Sequence, residues 1–351
     1  MTVTRARDGH GRRWWGPWLV AACALALLPL VSSAFNEFWD FFFTEMAILA
    51  LLGVSFNVVY GYGGRHSFCQ GMFYGIGAYV TAWLAQRGDV HPLLVVAAAT
   101  LAASGVAFVA GVVFIRTGTH NFTIATVILG IVAFLTGNTL RWLTGGEDGL
   151  NFTLPVSNVA GLAFPPAGIR GKLHLTVAIL FVVLFALAWV MRSTAGKIVV
   201  AIRENELRAQ YLGYGVFAWT LVIFTIGGAL AGLAGALYAL TVNHVSTNVF
   251  DLGLSINAIV WTVVGGLGTV LGPVVGVVLL LPITDYLSSL IVYSAIPVGI
   301  LLVLVVTFAP EGIVGRLGRA RSDVVHAERH PTDGSEPVIG SATPGGVTHG
   351  H

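Results

Sequence analysis

The chain approaches several catalytic patterns and completes none of them. Gly196-Lys197 offers the Gly-Lys of a phosphate-cradling loop, but the upstream glycine and the following Ser or Thr of G-x-x-x-x-G-K-[ST] are missing. A chain built this way does not cradle ATP by itself. H-E-x-x-H and G-x-S-x-G are missing as well, so zinc-protease and serine-hydrolase chemistry lose their usual markers. An intramembrane protease wants paired Asp or Ser/His groups at matched depth, whereas Asp285 stands almost alone within an apolar stretch and Glu45 and His174 lie near the ends of theirs. The irregular spacing of His326, His330, His349 and His351 in a polar tail argues against a metal site. Cys23 and Cys69, far apart in apolar surroundings, read as small thiols without a disulfide or metal.

The longest charged run between long apolar segments is Arg192–Gly215, RSTAGKIVVAIRENELRAQYLGYG. Leu173–Met191 before it and Val216–Val242 after it hold no Asp, Glu, Lys or Arg. A central Arg or Asp costs roughly 2.5–3.5 kcal/mol on membrane-insertion scales, so this run lies in water. Between Gly196 and Gly213 the good helix formers predict one short surface helix over Ile198–Leu212, with Ile198, Ile202 and Ala209 on one side. Ion-coupled carriers usually place Asp, Glu or His inside the bundle. Their scarcity here means that the driving energy comes from elsewhere, and the charged helix is where a soluble motor would supply it.

The elements that must position this helix are membrane spans. Of 351 residues, 56% are hydrophobic and 10% charged, far below the roughly 25% charge of a water-soluble domain. The fold class is an all-α polytopic membrane protein. Spans are predicted near Leu19–Val31, Phe41–Tyr60, Ser67–Ala85, Pro92–Ile115, Phe122–Leu140, Leu173–Met191, Phe217–Thr241, Leu252–Val264, Leu267–Leu290 and Ile291–Ala309, about ten in all. With the amino end in the cytoplasm, the 192–215 loop and fourteen Lys or Arg fall inside, against Arg87, Arg141, Arg170 and Lys172 outside. That bias follows the positive-inside rule. Residues 1–15 then form a cytoplasmic segment, 16–310 the transmembrane domain, and 311–351 a disordered cytoplasmic tail. The outer loop Arg141–Lys172 is rich in turn formers, and the scattered basic residues give no stripe for nucleic acid.

Small residues recur at helical spacing in Gly71-x-x-x-Gly75, Gly228-x-x-x-Gly232 and Gly272-x-x-x-Gly276, either as static packing or as sliding contacts. Gly61, Gly63 and Gly64, and again Gly265, Gly266 and Gly268, interrupt helices either as tight turns or as the lining of a path. The polar residues Asn57, Ser67, Gln70, Thr123, Thr126, Asn138, Asn257 and Thr262 either meet a solute or bond a neighbouring helix. Asn57, Gly64, Ser67, Gln70, Gly75, Asn257, Gly265 and Gly266 are the candidates for a translocation path.

Gly71–Trp83 (GMFYGIGAYVTAW), Ala201–Leu237 (AIRENELRAQYLGYGVFAWTLVIFTIGGALAGLAGAL), Val263–Gly276 (VVGGLGTVLGPVVG) and Ala309-Pro310-Glu311-Gly312 together resemble the LivM-like permease subunit of branched-chain amino-acid ABC importers. The resemblance implies a type II importer fold in the inner membrane. It also implies a second permease subunit, two ATPases carrying ATP and magnesium, and an extracytoplasmic solute-binding protein, with no cofactor on this chain. Arg203, Glu204, Asn205, Glu206, Arg208 and Gly213 would belong to the helix that docks on the ATPase. Arg65-His66-Ser67-Phe68-Cys69-Gln70 and Thr119-His120-Asn121-Phe122 depart from the family pattern, which leaves the solute open between branched-chain amino acids and urea, amides or aromatic acids. Two other classes stay open on the residues alone: a stand-alone ion-coupled carrier, and a membrane scaffold or intramembrane enzyme.

Overall fold

A computed structural model describes residues 36–290 apart from 89, 154–156, 160–161, 165 and 167. The expected spans Leu19–Val31 and Ile291–Ala309, the amino-terminal segment and the tail lie outside the described residues. Eleven α-helices are described: α1 Glu37–Phe56, α2 Gln70–Gln86, α3 Pro92–Phe114, α4 Thr119–Thr139, α5 Arg141–Thr144, α6 Gly168–Arg192, α7 Thr194–Glu204, α8 Glu206–Tyr211, α9 Val216–Val242, α10 Leu252–Gly266 and α11 Gly272–Leu290. Five helical segments are long and apolar enough to cross a membrane: Glu37–Tyr62, Pro92–Thr117, Thr119–Thr139, Gly168–Arg192 and Val216–Val242.

The apolar stretches account for these helices, and the differences from expectation are local. Gly61, the first of the glycines expected to break the helix, lies within it. The helix widens into a π-helical turn over Asn57–Tyr62 and ends only at Gly63–Gly64, where Gly64 has φ +71°. The apolar run from Leu267 begins with a turn, and α11 starts five residues later at Gly272. The all-α expectation needs one amendment, because Leu150–Asn151 (β1) pairs antiparallel with His244–Val245 (β4) and Ser157–Val159 (β2) with Leu162–Phe164 (β3). Both ribbons belong to connections between helices, where Gly and Pro end the helical pattern.

The core forms where α9 packs against α2, α3 and α1. A Cβ on Gly235 would overlap the Tyr74 carbonyl, one on Gly77 the Gly232 carbonyl, and one on Gly232 the Ala103 side chain. Backbones this close exclude any larger residue, which is how small residues let helices associate in lipid. α10 and α11 pack on each other in the same way: a Cβ on Gly265 would overlap the Gly272 carbonyl and one on Gly276 the Trp261 carbonyl. Ile124, Ile128, Val132 and Leu135 of α4 face outward, a face that suits hydrocarbon.

Candidate functional site

Two places stand out, at opposite ends of α9. One is the charged segment that precedes this helix, and the other is a cavity beside the connection that follows it. At 1.5 Å per residue the 27 residues of α9 hold them about 40 Å apart.

The segment is two helices, not the single helix over Ile198–Leu212. Asn205 stands extended between α7 and α8 (φ −156°, ψ 101°), and its Oδ1 accepts a hydrogen bond from Arg208 N at 2.8 Å. An Asn that can cap a new helix competes with continuing the old one, so the chain turns here. The apolar side is Val199, Ile202 and Ala209, all buried, whereas Ile198 is only partly covered. Glu204 and Arg208 are exposed. Gly213 takes φ +86° with open space around its Cα, a conformation that favours glycine in the turn before α9.

Two basic residues join this segment to the bundle. The carbonyls of the last turn of a helix lack intrahelical partners, and the turn Asn57–Tyr62 holds no basic residue of its own. Arg203 supplies one by donating through Nη1 to the Gly61 carbonyl. Its side chain lies against glycines: a Cβ on Gly64 would stand 2.9 Å from Arg203 Cγ, and one on Gly268 3.1 Å from Nη1. Arg65, buried, pairs with Glu206 at 2.9 Å. A cation at a helix C-terminus is favourable, and here the cation belongs to another element. His66 stacks on Tyr60 with ring centroids 3.9 Å apart.

Asn57 carries the connection further. Its Nδ2 donates to the Thr269 carbonyl at 2.8 Å and its Oδ1 accepts from Gly268 N at 2.9 Å, fixing the π-helical turn to the α10–α11 connection. Gly265 and Gly266 lie at the end of α10, where Gly265 meets the start of α11. Ser67 is buried beside Cys69, with Oγ 3.3 Å from Sγ. Gln70 accepts from Ser55 Oγ at 3.3 Å, while its buried Nε2 has no partner among the described residues. A Cβ on Gly75 would overlap the Phe250 ring. Of the eight path candidates, Asn257 alone lines the cavity described next.

That cavity, about 390 Å³, lies between α1, α10 and α11 and is lined also by Tyr74, Tyr238, Ser246, Asn248 and Val249. Glu45 and Asp285 both line it, so Asp285 is not the solitary acid that the sequence suggested. They are 240 residues apart in sequence, and only the packing of α11 on α1 brings them to one space. The sequence also gave no hint of Gly61 as an acceptor or Gly268 as part of the Arg203 seat. Opposite charges at Arg65 and Glu206, on two loops assigned to one side, were the available signal.

A helical membrane bundle with an internal cavity and a charged segment clasped to its far end defines the class of a membrane permease. Residues 39–309 match the family of permease components of branched-chain amino acid transport systems, and the chain belongs to that family. It is 30% identical over 293 residues to the high-affinity branched-chain amino acid transport system permease protein LivM of Escherichia coli, covering 77% of this chain and 68% of the relative. It is 26% identical over 283 residues to BraD of Pseudomonas aeruginosa, named for the same kind of system, covering 76% and 91%. Against the autoinducer 2 import system permease protein LsrC of an Enterobacter species it is 33% identical over 158 residues, covering 42% and 43%. No solved structure matches this chain. The protein is therefore a permease subunit of an ABC importer.

Proposed function

We propose that this subunit moves a small solute inward when partner ATPases, carrying ATP and magnesium, act on the α7–α8 segment. The observation that carries the reading is the Arg203–Gly61 bond together with the Arg65–Glu206 pair. A push on α7–α8 reaches the end of α1 through these contacts, and the α10–α11 connection through Asn57. The helices that wall the cavity are the ones so connected. A ligand or motor shifts a two-state bundle only through differential affinity for its states, and exposed Glu204 and Arg208 are free to differ in their ATPase contacts.

The bundle is completed to about ten spans by the apolar stretches on either side of the described helices, in the type II importer arrangement, with both chain ends and α7–α8 in the cytoplasm. A second homologous permease, two ATPase subunits and an extracytoplasmic binding protein complete the assembly in the lipid of the inner membrane. The names of LivM and BraD favour branched-chain amino acids or related small solutes as cargo. The test is uptake by the full assembly in proteoliposomes carrying Glu204→Ala or Gly213→Leu. Protein that inserts and assembles but loses the link between ATP hydrolysis and uptake supports the reading, and normal coupled uptake by both variants contradicts it. A stand-alone carrier would instead accumulate solute on an ion gradient with this chain alone.

A further inference from the structure

Between α2 and α4 lies a second concavity, a groove of about 500 Å³. We propose that it seats one acyl chain of a membrane phospholipid, whose phosphate is held at the end of the groove by Arg87 and Arg141.

The walls suit hydrocarbon. α2 contributes Ile76, Val80, Trp83 and Leu84, and α4 contributes Leu129, Val132 and Ala133. Trp83 is 42% and Val132 50% exposed, so the groove opens outward. The hydroxyls of two lining residues are spent inside the protein: Tyr79 donates to the Thr144 carbonyl at 3.2 Å, and Thr144 donates to the Gly137 carbonyl at 2.6 Å. A polar solute loses its water here for little return, whereas an apolar chain needs no partner. From Met72 to Leu84 the α2 wall rises about 18 Å at 1.5 Å per residue. A hydrocarbon core roughly 30 Å thick leaves about 15 Å to each leaflet, so the groove has the length of one lipid tail.

Charge marks the end that takes the headgroup. The stretch before α2 bonds the first turns of α4, His66 through its carbonyl with Thr123 and Phe68 through its N–H with Thr126, so the two helices run the same way and end together. At that far end Arg87 follows α2 and Arg141 opens α5. Arg87 lies over the Trp83 ring, 5.4 Å from its centroid, which places a cation on the groove wall itself. Arg141 follows Leu140, which lines the groove, and precedes the exposed Trp142. Both arginines are exposed, and neither has an ion pair among the described residues. Glu147 and Asp148, exposed on the next turn, leave them unpaired. Trp rings favour the membrane interface, and a guanidinium binds phosphate through charge-assisted hydrogen bonds.

Phe250 ties the groove to the cavity. Its ring stacks on Tyr79 with centroids 5.3 Å apart and fits against Gly75 and Gly137. Phe250 lines the groove, while Asn248 and Val249 of the same turn, Thr247–Phe250, line the cavity. A tail in the groove touches the turn that borders the solute's space.

The test uses the complete assembly of permeases and ATPases in detergent, stripped of lipid and titrated with a phosphatidylglycerol that carries a diazirine on one acyl chain. Light-driven labelling of the peptides holding Phe250 and Gly137, both buried, should saturate as lipid is added. Arg87→Gln combined with Arg141→Gln should raise the half-saturating concentration at least about tenfold, the order of one charge-assisted contact. Ala133→Phe, which fills the groove, should abolish saturable labelling. Ile128→Phe, exposed on α4 outside the groove, should change nothing. Where Ala133→Phe fails to assemble, the paired arginine variant still decides, since both side chains are exposed and outside the packing. Labelling that does not saturate, or that these variants leave unmoved, would overturn the proposal. So would unlabelled groove peptides, the result expected if Leu19–Val31 or the second permease lies on the groove. A diacylglycerol with the same tails binding as tightly as the phospholipid would overturn the role of the arginines and with it the proposal.

Discussion

The guanidinium of Arg203 donates to the carbonyl oxygen of Gly61, joining positions 142 residues apart and tying the charged segment to the end of α1. Three glycines make room for it: Gly61 presents the acceptor, and Gly64 and Gly268 leave space beside the side chain. Arg203→Ala should therefore leave an assembled importer whose ATP hydrolysis continues while ATP-driven uptake falls at least about tenfold, a loss in keeping with one charged hydrogen bond. Arg203→Lys, with one flexible ammonium in place of the planar fork, should recover part of the uptake. The ratio of solute moved to ATP hydrolysed in proteoliposomes decides it, and an unchanged ratio in Arg203→Ala removes the mechanical role from this contact.

Asn57 holds two backbone groups of the α10–α11 connection with one side chain. Asn57→Leu has a similar size and no polar atoms, so it leaves the Gly268 N–H and the Thr269 carbonyl without their side-chain partner. Both groups are half-buried, so each left unpaired costs up to roughly 1 kcal/mol. The unfolding midpoint in detergent should fall accordingly. Uptake should fall further than residual folded protein explains, because the link between α1 and the cavity helices is cut.

Among the glycines, space separates those that packing requires from those it does not. Gly276→Ala drives a methyl into the Trp261 carbonyl, backbone that cannot turn away, whereas Gly105→Ala meets nothing within 4 Å. The first should destabilise by about 1–3 kcal/mol, as overpacking does. The second should be neutral or slightly stabilising, since Ala favours helix over Gly by about 1 kcal/mol. Thermal melts of the two variants beside the parent protein check the contrast.

Much of this arrangement was legible in the sequence because membrane spans and charged loops differ so sharply in composition. The absence of charge in Val216–Val242 marked α9, and the charge in Arg192–Gly215 marked the segment outside the bundle. The division of that segment at Asn205 was not legible, since helix propensity alone favours continuing through Glu204, Glu206 and Leu207. The side-chain cap that decides it is a matter of geometry. Asn57 and Gln70 were marked as polar residues within apolar stretches, but their partners, Gly268, Thr269 and Ser55, depend on which helices become neighbours. The same holds for Glu45 and Asp285, each noted in its own stretch, whose place on one cavity depends on two helices packing together.

His66 gives the clasp a dependence on pH. Burial first, and the nearby His120 charge second, lower its pKa below the usual 6.5 while it stacks on Tyr60. Because the folded-state pKa is the lower one, the unfolded chain binds the proton first as pH falls. Between the two values the unfolded state holds more protons, so stability rises with pH there and is lost as pH drops from 6.5 through the folded-state value. The melting temperature of the detergent-solubilised protein should thus be level above about pH 7.5 and decline toward pH 5.5. His66→Phe keeps a ring on Tyr60 without a titrating nitrogen, and should flatten that decline. His120→Asn removes the neighbouring charge and should make the decline smaller, since a His66 free of that repulsion has a folded-state pKa nearer 6.5 and the window between the two values narrows. A decline of the same size in His66→Phe and the parent would assign the pH response to other groups.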